Sequence, residues 1–374
     1  MKAGRVLVLV GTHKGLWTLS ADARRRKWSL DGPAFLGHNV YHAVPDPRDR
    51  KTILAATKPG HLGPSIHRST DGGKTWKEAS RPPAFPKKEG GESVKHVFWL
   101  TAGPPSRPGR WYAGTAPHGL FRSDDGGDTW EGVAGINEHP SRVKWCGDPA
   151  NNPPDSPNTH SFQIDPRDPR HFYIGFSAGG VFESTDEGAT WKPLNKGVEN
   201  PYVQEPNADF GHDPHRVVMH PANPDRLYMQ NHFGIYRLDR PGDTWTRIGK
   251  SMPKEVGDIG FPLVVDPRNP DRAWVFPMDG SEVWPRTSPG GRPAAFMTKD
   301  GGKSWRRQQK GFPPRQAWWT VKRQAFAADG LKPLGLYVGT MAGEVWASRT
   351  EGQRWDCLAR HLPAVYSIET AGSA

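Results

Sequence analysis

The chain has 374 residues, with 43 Gly, 38 Pro and 16 Trp, and a formal net charge of +11. Two cysteines do not amount to a disulfide framework, and no apolar run is long enough for a transmembrane helix. Many turn residues and tryptophans, without a long periodic helix, favour an all-β fold. The positive charge is scattered except for the Arg-Arg-Arg-Lys run at 24–27, so it does not predict the contiguous basic stripe that nucleic acid binding requires.

The first predicted element is a strand over the apolar residues 6–10. The apolar segment is shorter than the core of a signal peptide, and no small-residue cleavage site follows it. We therefore interpret it as the first strand of the mature protein, and we expect a cytoplasmic protein with no membrane contact.

An eight-residue pattern, Ser/Thr-x-Asp-x-Gly-x-Thr/Ser-Trp, recurs along the chain. Near-complete copies occupy 69–76, 123–130, 184–191 and 298–305. Each copy follows a short apolar run, which predicts a strand, a tight turn and a second strand that opens on the Trp. The Asp should accept hydrogen bonds from backbone N–H groups of its own turn, and the Gly should adopt positive φ.

Three degenerate copies end at Trp28, Trp245 and Trp355. The copy before Trp28 keeps Asp22, and the copy before Trp355 has Thr350 in place of the Asp. The seven terminal tryptophans are spaced by 48 to 61 residues, which predicts seven similar units. Seven units of this length are typical of a seven-bladed β-propeller in a single domain.

Asp-Pro turns such as Asp165-Pro166 mark the middle of each unit and predict four strands per blade, A to D from the inside outward. We expect the blades at about 5–32 with 363–370, 39–80, 94–134, 159–195, 213–250, 258–308 and 316–358. Blade 1 lacks its own strand A. The C-terminal strand near Tyr366 resembles the strand near Tyr41, so we expect it to complete blade 1 and remove the open edge.

The repeats resemble the Asp-box, or BNR repeat, of sialidase-like β-propellers, and the chain as a whole is most similar to bacterial BNR-repeat proteins described as glycosyl hydrolases. This resemblance implies an all-β propeller and a sugar-directed hydrolase. The chain has Gly4-Arg5-Val6-Leu7 where sialidases carry an F/Y-R-I-P motif. Neither the sialidase arginine triad nor its Tyr–Glu pair is identifiable.

The Asp-box turns join strands C and D, so a pocket is expected at the other end of the blades, where the longer loops lie. Histidines concentrate in those loops and at the starts of strands A. The candidate ligand-binding residues are His42, His96, His118, His160, His215, His232, Arg216 and Trp318. The candidate catalytic carboxylates are Glu205, Asp209, Asp213, Asp279 and Glu282.

Three interpretations of the histidines stay open. His160 and His215 occupy matching places before the Asp-Pro or His-Pro turn, and they are the candidate ligands of a divalent metal ion. Alternatively, a histidine acts with a carboxylate as a general base or anchors an acidic substrate. In the third interpretation the histidines are polar side chains without chemistry.

Two functions follow from these alternatives. The first is a glycosyl hydrolase or lyase-like enzyme acting on a sugar or anionic ligand. The second is a non-catalytic propeller that binds a small molecule or a protein partner on the same face. Fold-level analogy does not choose between them.

Overall fold

The computed structural model describes residues 5–49, 51–87, 91–146, 158–201, 205, 207–280 and 286–371. These residues form seven four-stranded antiparallel sheets, and the prediction of a seven-bladed β-propeller is confirmed. The chain divides into two compact units. Unit 1 comprises Gly37–Lys196 and Pro201–Pro214, and unit 2 comprises Lys2–Leu36, Gly197–Asn200 and His215–Ala374.

Unit 1 contains blades 2, 3 and 4. Their strands are β4 (Asn39–Pro45), β5 (Ile53–Lys58), β6 (Ser65–Ser69), β7 (Lys77–Glu78), β8 (His96–Ala102), β9 (Trp111–Ala116), β10 (Gly119–Ser123), β11 (Glu131–Gly132), β12 (Thr159–Ile164), β13 (Phe172–Phe176), β14 (Gly180–Ser184) and β15 (Lys192–Pro193). In each sheet the strands lie side by side in chain order. Two short helices, α1 (Ala134–Asn137) and α2 (Arg142–Cys146), follow blade 3.

Unit 2 contains blades 1, 5, 6 and 7. Their strands are β1 (Arg5–Thr12), β2 (Gly15–Asp22), β3 (Trp28–Ala34), β16 (Pro214–His220), β17 (Asn223–Asn231), β18 (Gly234–Asp239), β19 (Thr246–Arg247), β20 (Gly260–Asp266), β21 (Asn269–Pro277), β22 (Ala295–Thr298), β23 (Arg306–Gln308), β24 (Phe326–Ala328), β25 (Leu336–Gly339), β26 (Val345–Ser348), β27 (Asp356–Ala359) and β28 (Val365–Ala371). Two 3₁₀ turns occupy Gly249–Ser251 and Pro289–Gly291. No helix in the described part of the chain has the length and apolarity needed to cross a membrane.

The C-terminal strand completes blade 1, as predicted. Strand order in this sheet is β28, β1, β2, β3, and β28 runs antiparallel to β1, with Val10 opposite Ile368. Val10 and Ile368 are both fully buried. The C-terminal strand therefore contributes side chains to the hydrophobic core as well as backbone hydrogen bonds to the sheet.

The Asp-box turns form as their residues predict. In blade 3 the Asp125 Oδ1 atom accepts hydrogen bonds from the backbone N–H groups of Asp128 and Thr129 at 3.0 and 2.9 Å, and Gly127 has φ +96°. Partial burial alone would raise the pKa of the Asp125 carboxyl, but hydrogen bonds from Thr129 and Ser123 lower it to about 2. The turn therefore needs an ionised Asp, which accepts hydrogen bonds but cannot donate them.

The tryptophan of each repeat differs from the prediction in one respect. Strand D begins one residue after the Trp in blades 2 to 7, for example at Glu131 after Trp130. The Trp130 indole Nε1–H donates to the Gly127 carbonyl at 3.0 Å. The ring thus closes its own turn and packs in the core, 3% exposed, and the backbone joins the sheet only afterwards.

The hydrophobic core lies between successive blades of each unit. In unit 1 Tyr112 and Phe162, from blades 3 and 4, pack with ring centroids 4.5 Å apart. In unit 2 Phe312 stacks on Trp355 at 4.7 Å, and Val8, Tyr337 and Ile368 belong to one buried cluster. Aromatic pairs of this kind add to the stabilisation from burial alone.

Candidate functional site

In unit 2, two predicted histidines lie side by side at the end of blade 5 opposite its C–D turn. His215 is in β16, and His232 lies in the turn between β17 and β18. Asn231 shapes this turn because its Oδ1 accepts a hydrogen bond from the Phe233 N–H at 3.0 Å. The His215 and His232 rings meet edge to face, with centroids 5.3 Å apart.

The surroundings of His215 fix its tautomer. Its Nδ1 lies 2.6 Å from the carbonyl oxygen of Gly260. A carbonyl only accepts, so Nδ1 carries the proton and, in the neutral ring, Nε2 is an acceptor. The ring also packs on Phe261, with centroids 4.7 Å apart, and His215 is 1% exposed.

Arg286 brings a positive charge to this pair. Its guanidinium donates from Nη2 to His232 Nε2 at 3.1 Å and from Nη1 to the Asp279 carbonyl at 3.2 Å. The Arg286 carbonyl in turn accepts from the Thr320 hydroxyl at 2.7 Å. Arg286 is 9% exposed, so it is a buried cation. Hydrogen bonds fix both its guanidinium and its backbone carbonyl.

Arg323, a second arginine of unit 2, lies close to the same residues because it contacts Phe261, which packs on His215. Arg323 is 9% exposed and places its guanidinium carbon 5.3 Å from the centre of the Phe261 ring. Arg216 follows His215 in β16. Burial lowers the pKa of Arg216, and the charge of Glu369 offsets part of that effect. We name His215, His232, Arg286 and Arg323 the unit 2 cluster. Arg216, a predicted ligand-binding residue, stays a prediction.

The charge of the unit 2 cluster bears on the kind of ligand it suits. A metal ligand must offer a lone pair, but the Arg286 guanidinium already donates to His232 Nε2. The Arg286 guanidinium would also repel a divalent cation bound to the neighbouring His232. Buried arginines with neighbouring imidazoles suit a carboxylate or another anion, which a guanidinium binds through paired hydrogen bonds.

The predicted histidines of unit 1 make contacts that hold the inner strands. His42 Nδ1 accepts from the Leu100 N–H at 2.9 Å, and His96 Nε2 lies 3.0 Å from Asn158 Oδ1. His96 also stacks on Tyr41, with centroids 4.4 Å apart. His160 is fully buried, and its Nδ1 lies 2.8 Å from the Ser161 hydroxyl.

Among the described histidines of unit 1, His118 has the most strongly lowered pKa. Burial lowers the pKa of His118 to about 3, so the ring is neutral at physiological pH. Its Nε2 lies 2.9 Å from the Ser177 carbonyl and must carry the proton. Phe176 packs edge to face on the ring at 5.3 Å. His118 therefore acts as a buried packing and hydrogen-bonding side chain.

The family comparison rests on the repeat itself. Residues 67–78, around the first near-complete turn, match the BNR/Asp-box repeat model. The chain therefore contains a BNR/Asp-box repeat at these residues.

Several of the similar proteins are xyloglucanases. A xyloglucanase of a Paenibacillus species is 26% identical over 279 residues, which cover 68% of this chain and 25% of that protein. The GH74 xyloglucanase from Xanthomonas campestris has a TM-score of 0.65 at 18% identity, covering 96% of this chain and 53% of that one. The structure of YCF48 bound to D1 peptide has a TM-score of 0.51 at 14% identity, covering 86% and 81%.

This Asp-box chain spans about a quarter of the length of the Paenibacillus relative, and the low identity to the solved structures shows the fold alone. Two of the three similar proteins named above are xyloglucanases, and none of the three is named as a sialidase. Glycosyl hydrolases are thus among its homologues, whereas the sialidase likeness stays a prediction.

The predicted carboxylates occupy unlike surroundings. Glu205 and Asp209 are exposed and Asp213 is half-buried, all in unit 1. Asp279 anchors its own loop, because its Oδ1 and Oδ2 atoms accept from the N–H and hydroxyl of Thr287, both at 3.2 Å. Glu282 lies outside the described residues.

Arg286 and Arg323 are not among the candidate site residues selected from the sequence. Arg286 carried a usable signal, since it stands in the long loop of blade 6, whereas Arg323 had none. Trp318, a predicted ligand-binding residue, is 56% exposed and donates its indole N–H to Gln316 Oε1 at 3.1 Å. The metal ligands His160 and His215 stay a prediction.

Proposed function

We propose that this chain binds a sugar ligand that carries a carboxylate, and cleaves it as a glycosyl hydrolase. The observation that carries the proposal is Arg286, a guanidinium 9% exposed that contacts His232 beside His215. The xyloglucanase relatives support a sugar as the ligand. The two buried arginines of the unit 2 cluster, Arg286 and Arg323, support an acidic group on it.

Cleavage of a glycosidic bond requires catalytic groups in addition to a binding site. Glycosidases use two carboxyl groups that flank the scissile bond. Asp279 contributes to loop structure through Thr287, and Glu369 interacts with Arg216 in the same unit. We therefore expect Arg286 to anchor the ligand and Glu369 to be the first carboxyl to test for catalysis.

Calorimetric titration with tetragalacturonate and with neutral cellotetraose tests the binding. Wild-type protein should bind the acidic tetramer roughly tenfold or more tightly than the neutral one, and Arg286→Met should remove that preference. Arg315→Met, at an exposed arginine in the same unit, should leave it unchanged. Equal affinity of the wild-type protein for both tetramers would show that the acidic-ligand proposal is wrong.

Release of reducing ends from polygalacturonate and from xyloglucan tests the hydrolysis separately. Activity on either polymer that is lost in Glu369→Gln supports the enzyme. Selective binding of the acidic tetramer without any release would instead favour the non-catalytic alternative.

A further inference from the structure

The outer edge of blade 6 carries a groove whose lining residues include none of the unit 2 cluster. It runs between the segment at 253–256 and strands β22 and β23, and continues towards the 3₁₀ turn at Pro289–Gly291. Its apolar lining is formed by Pro253, Val256, Pro289, Phe296, Met297 and Trp305. Phe296 is buried, whereas Val256, Met297 and Trp305 are half-buried and reach the surface.

The groove contains the outer edge of a β-strand, which pairs with no other strand of the described residues. Strand β23 is the outermost strand of its sheet, and Arg306 and Arg307 pair with Met297 and Phe296. Neighbouring residues of a strand point to opposite faces of the sheet. Because both Arg306 and Arg307 line the groove, the groove includes the strand edge that lies between them.

The charge of the groove is strongly one-sided. Its basic side chains, Arg292, Lys299, Arg306 and Arg307, are all exposed, and Glu255 is the acidic side chain among its lining residues. Four cations at the rim of an apolar floor are complementary to a ligand that alternates acidic and apolar groups. An extended polypeptide has that alternation at the spacing of a strand.

We propose that this groove docks an acidic, extended segment of a partner protein, which adds as a fifth strand beside β23. Strand addition uses backbone hydrogen bonds for affinity and alternate side chains for selectivity. The apolar side chains of the segment would contact Val256 and Trp305, and its carboxylates would meet Arg306 and Arg307. A glycan or nucleic acid would satisfy the cations but would match neither the strand edge nor the apolar floor.

Fluorescence anisotropy with three labelled octapeptides tests the proposal. They alternate Glu with Val, Glu with Ser, and Lys with Val. The Glu/Val peptide should bind wild-type protein at least tenfold more tightly than the other two. The doubly substituted Arg306→Glu, Arg307→Glu protein should bind it roughly tenfold more weakly.

Lys192→Glu is the matched control, because Lys192 is the exposed residue that follows the Trp of its repeat in β15, as Arg306 does in β23. It should retain binding. Equal binding of the Glu/Ser and Glu/Val peptides, or displacement of the Glu/Val peptide by a heparin octasaccharide at lower concentration than by the unlabelled peptide, would show a simple polyanion surface and overturn the proposal. Undetectable binding of the Glu/Val peptide would overturn it as well.

Discussion

At the scale of single residues, His118 makes stability depend on pH. Its pKa is about 3 in the folded chain because of burial, against an ordinary value of 6.5. Between these two values the unfolded chain binds a proton that the folded chain does not. Lowering the pH from 6.5 towards 3 therefore reduces the free energy of unfolding, and above 6.5 the contribution of His118 is fully present.

We expect His118→Phe to flatten this pH dependence, because the substitution removes the titrating ring while keeping an aromatic side chain. The variant should be somewhat less stable at pH 7, because Phe cannot donate the hydrogen bond that His118 gives to the Ser177 carbonyl. Its slope below pH 6 should be shallower by at most about 1.4 kcal/mol per pH unit. Urea unfolding at pH 7, 6 and 5 measures both effects. Exposed His61→Gln is the control, and an unchanged slope in His118→Phe would contradict the assignment.

At the scale of elements, arginines tie each blade to the next within a unit. In unit 1 Arg110 binds both Asp124 of its own blade and Glu187 of the next Asp-box turn. In unit 2 Arg272 binds Glu351 of the following blade at 2.7 Å. Part of the positive charge of the sequence is thus structural, and a charge count by itself could not separate these arginines from solvated ones.

The ion pair of blade 1 is more buried than those of Arg110 and Arg272. Its degenerate turn has Arg25 at φ +54°, and the Arg25 guanidinium reaches Asp329 of blade 7 at 2.9 Å and the Pro333 carbonyl at 2.8 Å. Asp329 also accepts a hydrogen bond from the Tyr337 hydroxyl at 2.9 Å. Arg25 and Asp329 are 7% and 2% exposed, so neither charge has water as a substitute partner.

Arg25→Ala should therefore be strongly destabilising, by roughly 3–5 kcal/mol, because it leaves the Asp329 carboxylate buried without its cation. Arg24→Ala, one residue earlier and exposed, should change stability by less than about 0.5 kcal/mol. Chemical denaturation of both variants gives the comparison. If Arg25→Ala and Arg24→Ala unfold at the same urea concentration, the tie contributes nothing.

The sequence predicts contacts between residues close together in the chain, but not contacts between different blades. The Asp-box turn is local: Ser123, Asp125, Gly127 and Trp130 fall within eight residues and bond to one another. The pattern therefore predicts the turn, and its repetition predicts the blades. The unit 2 cluster joins His215, His232, Arg286 and Arg323 from three blades, and only the packing of those blades decides which side chains meet. The sequence likewise does not show that the Asp279 carboxylate accepts a hydrogen bond from Thr287, which is why Asp279 was predicted to be catalytic.

At the scale of the whole molecule, the C-terminal strand links the two ends of the chain within unit 2. Strand β28 pairs with β1 over residues 7–12, and the Ile368 N–H donates to the Gln324 carbonyl of blade 7 at 2.8 Å. Val365 and Ile368 are fully buried beside Val8 and Val345. Removal of β28 would expose the edge of β1 and this apolar cluster together.

A chain that ends after residue 362 should therefore fail to form a stable monomer, because an unpaired and hydrophobic strand edge promotes aggregation. A chain that ends after Ala371 keeps all of β28 and should match the 374-residue chain. Size-exclusion chromatography and thermal unfolding distinguish the two outcomes. Adding a synthetic peptide of residues 363–371 to the shorter chain should restore monomer, since the strand supplies its pairing without a covalent link. Monomeric, fully stable protein that ends at residue 362 would show that blade 1 does not need its inner strand.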